Sequence, residues 1–263
     1  MTGKPLPENK YWDQVADSAG GYYLLPALAR YKTMQYLSLL KRWGLGEKGR
    51  VLYTDLYEAA LGDPGFFGDP GSTPEIFGMD ISPGICRKSK TRSGDDKIRI
   101  ICSDGRLLAC RDETFDLIVS PSTFDHFPEI DEALKECRRV LKPGGRLVLA
   151  LNSGSNPFFK PGVRLAEHFK KNEYQTDYFY RAGQIRSLVD NAGFVVGRQT
   201  GIMHIPFGAV TIMEWMAGHG APAWTEKTFI GLFGVLGRLP HPWPLITGWW
   251  VATEGIKPGR LPG

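Results

Sequence analysis

Acids punctuate the first half of the chain where short apolar runs give out: Asp55 after RVLYT, Asp80 at the end of EIFGMD, and Asp104 at the end of KIRIICSD. A carboxylate at the tip of a parallel strand is the group that accepts two hydrogen bonds from a ribose diol in nucleotide-binding α/β proteins. Asp80 suits that task. Asp104 suits acceptance from an adenine amino group, with Ile81 or Leu107 as an apolar wall for the ring. Either acid alone reads as a solvated loop residue, but the pair at consecutive strand ends favours a nucleoside. A further tip carries Ser120, Ser122, Asp125 and His126. Histidine has an ordinary pKa of about 6.5, which suits proton transfer near neutrality. Asp125 stands beside it, to orient it or to act itself. A single histidine at a loop mouth is as readily a structural hydrogen-bonder.

The elements that must position these groups are legible around residues 114–153. FDLIVS (115–120) and RLVLAL (146–151) are nearly continuous apolar runs, the pattern of strands covered on both faces in a parallel sheet. Between them Ile130, Ala133, Leu134, Cys137, Val140 and Leu141 recur at helical spacing, with acids early, bases late, and Pro143-Gly144-Gly145 as the stop. A strand, helix, strand unit follows. Further strands are predicted at 50–57, 75–82, 97–104, 194–202 and 248–255, and helices over 22–43, from Ser82-Pro83 to about Thr91, and from about 182 to Gly193. The Asp-Pro and Pro-Gly pairs of 62–74 make the first crossover short or irregular. Strands alternating with helices predict an α/β fold with a doubly wound, mostly parallel, seven-stranded sheet. Residues 1–48 form an N-terminal helical cap segment that leads into a core of 49–200 and 247–257. Residues 201–246, rich in Gly, Pro and Trp, form an insertion over the sheet edge.

The chain has 263 residues, 42% of them apolar, which is ample for a buried core. A net charge of +4 without runs of like charge gives no footprint for nucleic acid. Cys86, Cys102, Cys110 and Cys137 lack metal-ligand spacing, as do His168, His204, His219 and His241, so no metal is expected and reduced thiols fit a cytoplasmic protein. No secretory signal opens the chain. The greasy stretch 229–252 is broken by Arg238, His241 and three prolines, short of the roughly 20 apolar residues a membrane span needs. Peripheral membrane contact stays open.

GMDISP (78–83), SDGRLLACRDETFDLIVS (103–120), LKPGGRLVLALN (141–152) and QIRSLVDNAGF (184–194) together resemble the class I S-adenosylmethionine-dependent methyltransferases, over roughly 49–200 plus the last strand. The resemblance implies S-adenosylmethionine as cofactor. It puts Asp80 on the ribose, Asp104 and Gly105 near the adenine, Ser120 and Ser122 beside the methionine end, and His126 at the mouth of the active site. One departure matters: the family's first strand leads into a glycine-rich loop, whereas VLYTDLYEAALGD has no glycine between Val51 and Leu61. Side chains crowd that turn. Asp55 or Glu58 is then expected to take the cofactor's ammonium and Thr54 its carboxylate. Trp215, Trp224 and Trp243, with Phe207, Phe229 and Phe233, read as a lid over a small apolar or aromatic acceptor, methylated on oxygen, or equally as the insertion's own core or a homodimer surface. The alternative is a methyltransferase-fold protein that has lost catalysis and serves in binding or assembly. A nicotinamide enzyme would need G-x-G-x-x-G after the first strand, which is absent.

Overall fold

Helix α5 (Ile130–Val140) forms as its spacing requires: Ile130, Ala133, Leu134, Cys137 and Val140 are buried, with Asp131 and Glu132 in the first turn and Arg138 and Arg139 in the last. It joins β4 (Phe115–Pro121) to β5 (Leu141–Asn152), which run parallel. β5 begins earlier than its apolar run because Leu141 already pairs with Phe115, ahead of a shift in register. The computed structural model describes residues 8–17, 25–67, 74–93, 98–168 and 178–259. Its other strands are β1 (Arg50–Tyr53), β2 (Glu75–Asp80), β3 (Arg99–Cys102), β6 (Val195–Ile202) and β7 (Trp250–Ile256).

They form one seven-stranded sheet in the order β3-β2-β1-β4-β5-β7-β6. β1 to β5 are parallel, and β7 runs antiparallel to both β5 and β6. Successive residues face opposite cores. Val51, Tyr53, Leu117 and Val119 pack on one side with α2 (Pro26–Trp43) and α4 (Pro83–Ser93), while Leu52, Ile118, Leu147 and Leu149 pack on the other with α5 and α7 (Ala182–Asn191). Strand order reverses between β1 and β4, the place where ligands bind beyond the carboxyl ends of such sheets.

β1 is shorter than the predicted 50–57. Thr54 N still donates to Val119 O, but the chain then turns into α3 (Tyr57–Ala60) and a 3-10 turn at Pro64–Phe67. The remaining part of the irregular crossover, 68–73, lies outside the described residues. The glycine missing from this turn is found on the neighbouring strand. Leu56 is fully buried in the space where Gly78 of β2 has no side chain, and a Cβ there would overlap Leu56 Cδ2. Tyr53 packs against Phe66 and Phe67, with ring centroids 5.8 and 4.7 Å away. Gly78→Ala should therefore destabilise the protein by about 1–3 kcal/mol, as overpacking does. Urea unfolding measures this, with Leu56→Ala in the same chain expected to restore part of the loss. An unchanged urea midpoint for the single variant would refute this packing.

Ser82 caps α4 as its sequence implies, its Oγ accepting from Ile85 N at 3.0 Å. The same hydroxyl donates to Asp13 of α1 (Glu8–Asp17) at 2.6 Å, and Asp13 also accepts from Gly84 N at 2.8 Å. The described part of the N-terminal segment is thus fastened over the tips of the strands. The insertion is more regular than its Gly and Pro content implies, with α8 (Ala209–Gly218), α9 (Ala223–Leu236) and α10 (Trp243–Thr247), and α6 (Phe159–His168) lies in the polar and aromatic segment before it. Phe233 of α9 is buried against Tyr31 of α2, ring centroids 5.9 Å apart. Among the described residues, no helix is long and apolar enough to cross a membrane.

Candidate functional site

Beyond the carboxyl ends of the parallel strands lies a cavity of about 1200 Å³, its open mouth included. The structure brings Thr54, Asp55, Asp80, Ile81, Asp104, Gly105, Ser122 and His126 to its wall. The crowded turn after β1 leaves the cavity open. Its side chains go elsewhere: Leu56 under Gly78, Ala59 and Ala60 into the core, and only Thr54, Asp55 and Tyr57 reach the wall.

Three expected site residues are not on that wall. Glu58, expected at the cofactor's ammonium, is buried, with Lys32 Nζ 2.9 Å from its Oε1 and Asp63 N donating to its Oε2 at 3.2 Å. An ammonium therefore already faces it from within the protein. Ser120 is fully buried within β4. Asp125, expected to orient His126 or to take a proton itself, is fully buried, and its Oδ2 accepts from Ser122 Oγ at 2.7 Å and from Asn152 N at 2.8 Å. Its carbonyl accepts from Tyr178 N. Asp125 thus ties the loop after β4 to the end of β5 and holds Ser122 in a left-handed turn, φ 60°. Leu107, offered as an adenine wall, is exposed, whereas Ile81 lines the cavity.

The electrostatics at the tips are uneven. Asp80 Oδ1 accepts from Ser82 N at 2.9 Å and Oδ2 from Leu56 N at 3.3 Å, yet burial and the neighbouring Asp55 raise its pKa to about 8. Burial also pushes the Asp55 carboxyl up, while Lys32 and the Tyr57 N–H pull it back. At Asp104 burial opposes the charge, but hydrogen bonds from Arg106 prevail and hold its carboxyl below the ordinary range. The Arg106 guanidinium also reaches Glu8 of α1 at 2.7 Å and Glu129 at 3.0 Å, closing one side of the mouth. His126 stands at the wall with the Trp12 ring edge-on, centroids 5.2 Å apart.

Several lining residues were not singled out as such from the sequence: Trp12, Lys32, Tyr57 and Phe159. Lys32 had a signal. It sits between Leu28 and Tyr36 at four-residue spacing, a charge on an apolar helix face, and all three are buried. Burial opposes the Lys32 charge, but Glu58 and Asp55 outweigh it and lift its pKa above the ordinary value. Its Nζ lies 5.2 Å from the Trp250 ring. Trp215, Trp224 and Trp243, expected over the cavity, are exposed and do not line it, and α1 and α6 border the mouth instead.

A family model described as a methyltransferase domain matches residues 67–149. A malonyl-acyl-carrier-protein O-methyltransferase of Geobacter sulfurreducens is 29% identical over 180 residues, 67% of this chain and 66% of that protein. Over residues 67–149 this chain matches the methyltransferase domain, in keeping with its resemblance to the class I S-adenosylmethionine-dependent methyltransferases. A demethylmenaquinone methyltransferase of Staphylococcus saprophyticus is 29% identical over 142 residues, 47% of this chain and 61% of that protein. The match thus spans just under two thirds of each of these relatives. A phosphoethanolamine N-methyltransferase of Haemonchus contortus, solved with S-adenosylhomocysteine, shares the fold with a TM-score of 0.60 at 18% identity, over 97% of this chain and 62% of that one. In this chain the glycine-free turn sends Leu56 under Gly78 and away from the cavity, which Thr54, Asp55 and Tyr57 line.

Proposed function

We propose that the protein transfers a methyl group from S-adenosylmethionine to a small apolar or aromatic acceptor, on oxygen by preference. The observation that carries the reading is the open cavity with Asp55 and Asp80 on its wall at adjacent strand tips. The donor set fits the cofactor. Asp80 keeps lone pairs beyond those engaged by Ser82 and Leu56, enough for a ribose diol. Ile81 walls the adenine, whose amino group meets Asp104 and Gly105, and Asp55 takes the ammonium of the tail. Thr54 Oγ1, 3.1 Å from Thr123 Oγ1, would turn its one hydroxyl proton from Thr123 to the tail carboxylate, with Lys32 as the second donor. Glu58 remains the internal partner of Lys32.

The bound cofactor supplies a methyl group on a sulfonium with a good leaving group. The protein's task is then to hold the acceptor in line and exclude water. Phe124, Phe127 and Phe159 provide apolar wall for this, and His126 at the mouth accepts the acceptor's proton where it has one. Oxygen as the target agrees with the O-methyltransferase relative. The free thiols of all four cysteines fit a reducing, cytoplasmic setting.

Calorimetric titration with S-adenosylhomocysteine tests the reading: one-site binding supports it, and absence of heat at several temperatures removes it. His126→Ala should lower turnover roughly 10²-fold or more, the usual weight of a positioned base, and leave S-adenosylhomocysteine affinity as it was. Turnover equal to the parent's would take His126 out of the proton-accepting role.

A further inference from the structure

The hydrophobic residues that the cavity and core do not use are concentrated on α6, α8 and α9. Phe158, Leu165, Phe207, Ile212, Trp215 and Trp224 are each at least half exposed, as are Leu232 and Val235 further along α9. The start of α6 adjoins the approach to α8, since the Phe158 ring lies 6.5 Å from that of Phe207, and α9 follows α8 after four residues. A soluble monomer rarely leaves so many large apolar side chains in water without a partner.

The charges say which partner. Among the described residues of α6, α8, α9 and the link to α10, every exposed charged side chain is basic: Lys160, Arg164, Lys227 and Arg238. The acids of α8 and α9, Glu214 and Glu226, are partly buried, and the side chain of Glu167 at the end of α6 lies outside the described ones. Elements that expose tryptophan and leucine together with lysine and arginine match an anionic bilayer surface, where indoles settle at headgroup depth and bases meet lipid phosphates. α8 and α9, of 10 and 14 residues, are too short to span a bilayer, so contact with one would be along its surface. α6 links this surface to the site, because its Phe159 and Val163 line the cavity while Phe158 and Leu165 are exposed.

We propose that α6, α8 and α9 form a docking face for an anionic membrane surface, placing the mouth of the cavity beside the bilayer. The inference stands on exposure and charge alone, independently of the chemistry in the cavity. Co-sedimentation of the full chain with phosphatidylcholine vesicles, with and without phosphatidylglycerol, tests it. Binding should require phosphatidylglycerol, weaken as salt rises, and shift tryptophan emission to the blue. Trp215→Ser with Trp224→Ser, and separately Lys227→Glu with Arg238→Glu, should each lower vesicle affinity at least about tenfold. S-adenosylhomocysteine titration without vesicles should be the same for all three proteins, which shows that the variants fold. No vesicle binding by the parent, or binding indifferent to both variants, overturns the proposal. So does a dimer in light scattering that the tryptophan variant dissociates, since a second copy of the chain would then cover the face.

Discussion

Asp80→Asn lowers affinity for S-adenosylhomocysteine at least about tenfold, and it does so increasingly as pH rises. Losing a hydrogen bond to a charged acceptor costs about 1.5–3 kcal/mol, which sets that minimum. The pH dependence follows from burial. With a pKa of about 8 in the free protein, Asp80 holds a proton at neutrality. A ribose diol donating to both oxygens favours the ionised carboxylate, so binding at neutral pH expels the proton. Affinity of the parent should thus climb between about pH 6 and 8, by up to tenfold per unit, and level off above. Calorimetry in buffers of different ionisation heat would register the released proton, and the asparagine variant should release less.

Stability has the opposite slope. The folded protein keeps a proton that the unfolded chain, with an ordinary carboxyl near 3.8, has already lost. Asp80's contribution is therefore complete below about pH 4 and is lost as pH rises through 8. The asparagine variant should lack that part of the decline in urea midpoint. A parent whose cofactor affinity is flat with pH would place the ribose elsewhere.

Lys32→Met should discriminate between ligands with and without an amino-acid tail. Lys32 is buried on the cavity wall, with Glu58 on one side and Asp55 acting on it electrostatically. A zwitterionic tail placed there pairs its ammonium with Asp55 and its carboxylate with Lys32. The methionine variant should lose tenfold or more in affinity for S-adenosylhomocysteine, about the 1.4 kcal/mol or more of a charge-assisted bond. It should bind methylthioadenosine, which lacks the tail, as the parent does. Because the substitution also strands Glu58, Lys32→Met with Glu58→Gln is the companion variant, and it should keep the ligand preference while regaining stability. Equal loss for both ligands would mean that Lys32 holds up the cavity and does not touch the tail.

The sheet and its βαβ unit were legible because apolar period and punctuation agree there: α5 buries the residues whose spacing marked it. The tips of the strands were legible too, since an acid ending an apolar run needs no tertiary information to be noticed. Side-chain direction was not. Asp125 adjoins His126 in sequence, yet its carboxylate turns inward to Asn152 N and Ser122 Oγ. Glu58, a plausible ammonium acceptor on type alone, meets a lysine from α2 that the sequence places 26 residues away. The accommodation of Leu56, in the turn after β1, by Gly78 of β2 is likewise a contact between segments apart in sequence. In α9, Gly231 and Gly234 argue against a helix, but the burial of Phe233 on Tyr31 overrides that weak preference. Tyr11, Trp12 and Val15 mark a short helix in the sequence, and α1 forms there, but its anchor, Asp13 on Ser82, bridges distant segments and was not legible.

The most direct test of a nucleoside lying across these strand tips is a crystal structure grown with S-adenosylhomocysteine. The expected electron density has the ribose hydroxyls on Asp80, the adenine against Ile81, and the tail between Asp55 and Lys32 with Tyr57 at the wall. Density for the ligand elsewhere, or a cavity filled by Tyr57 with no ligand in it, would contradict the account.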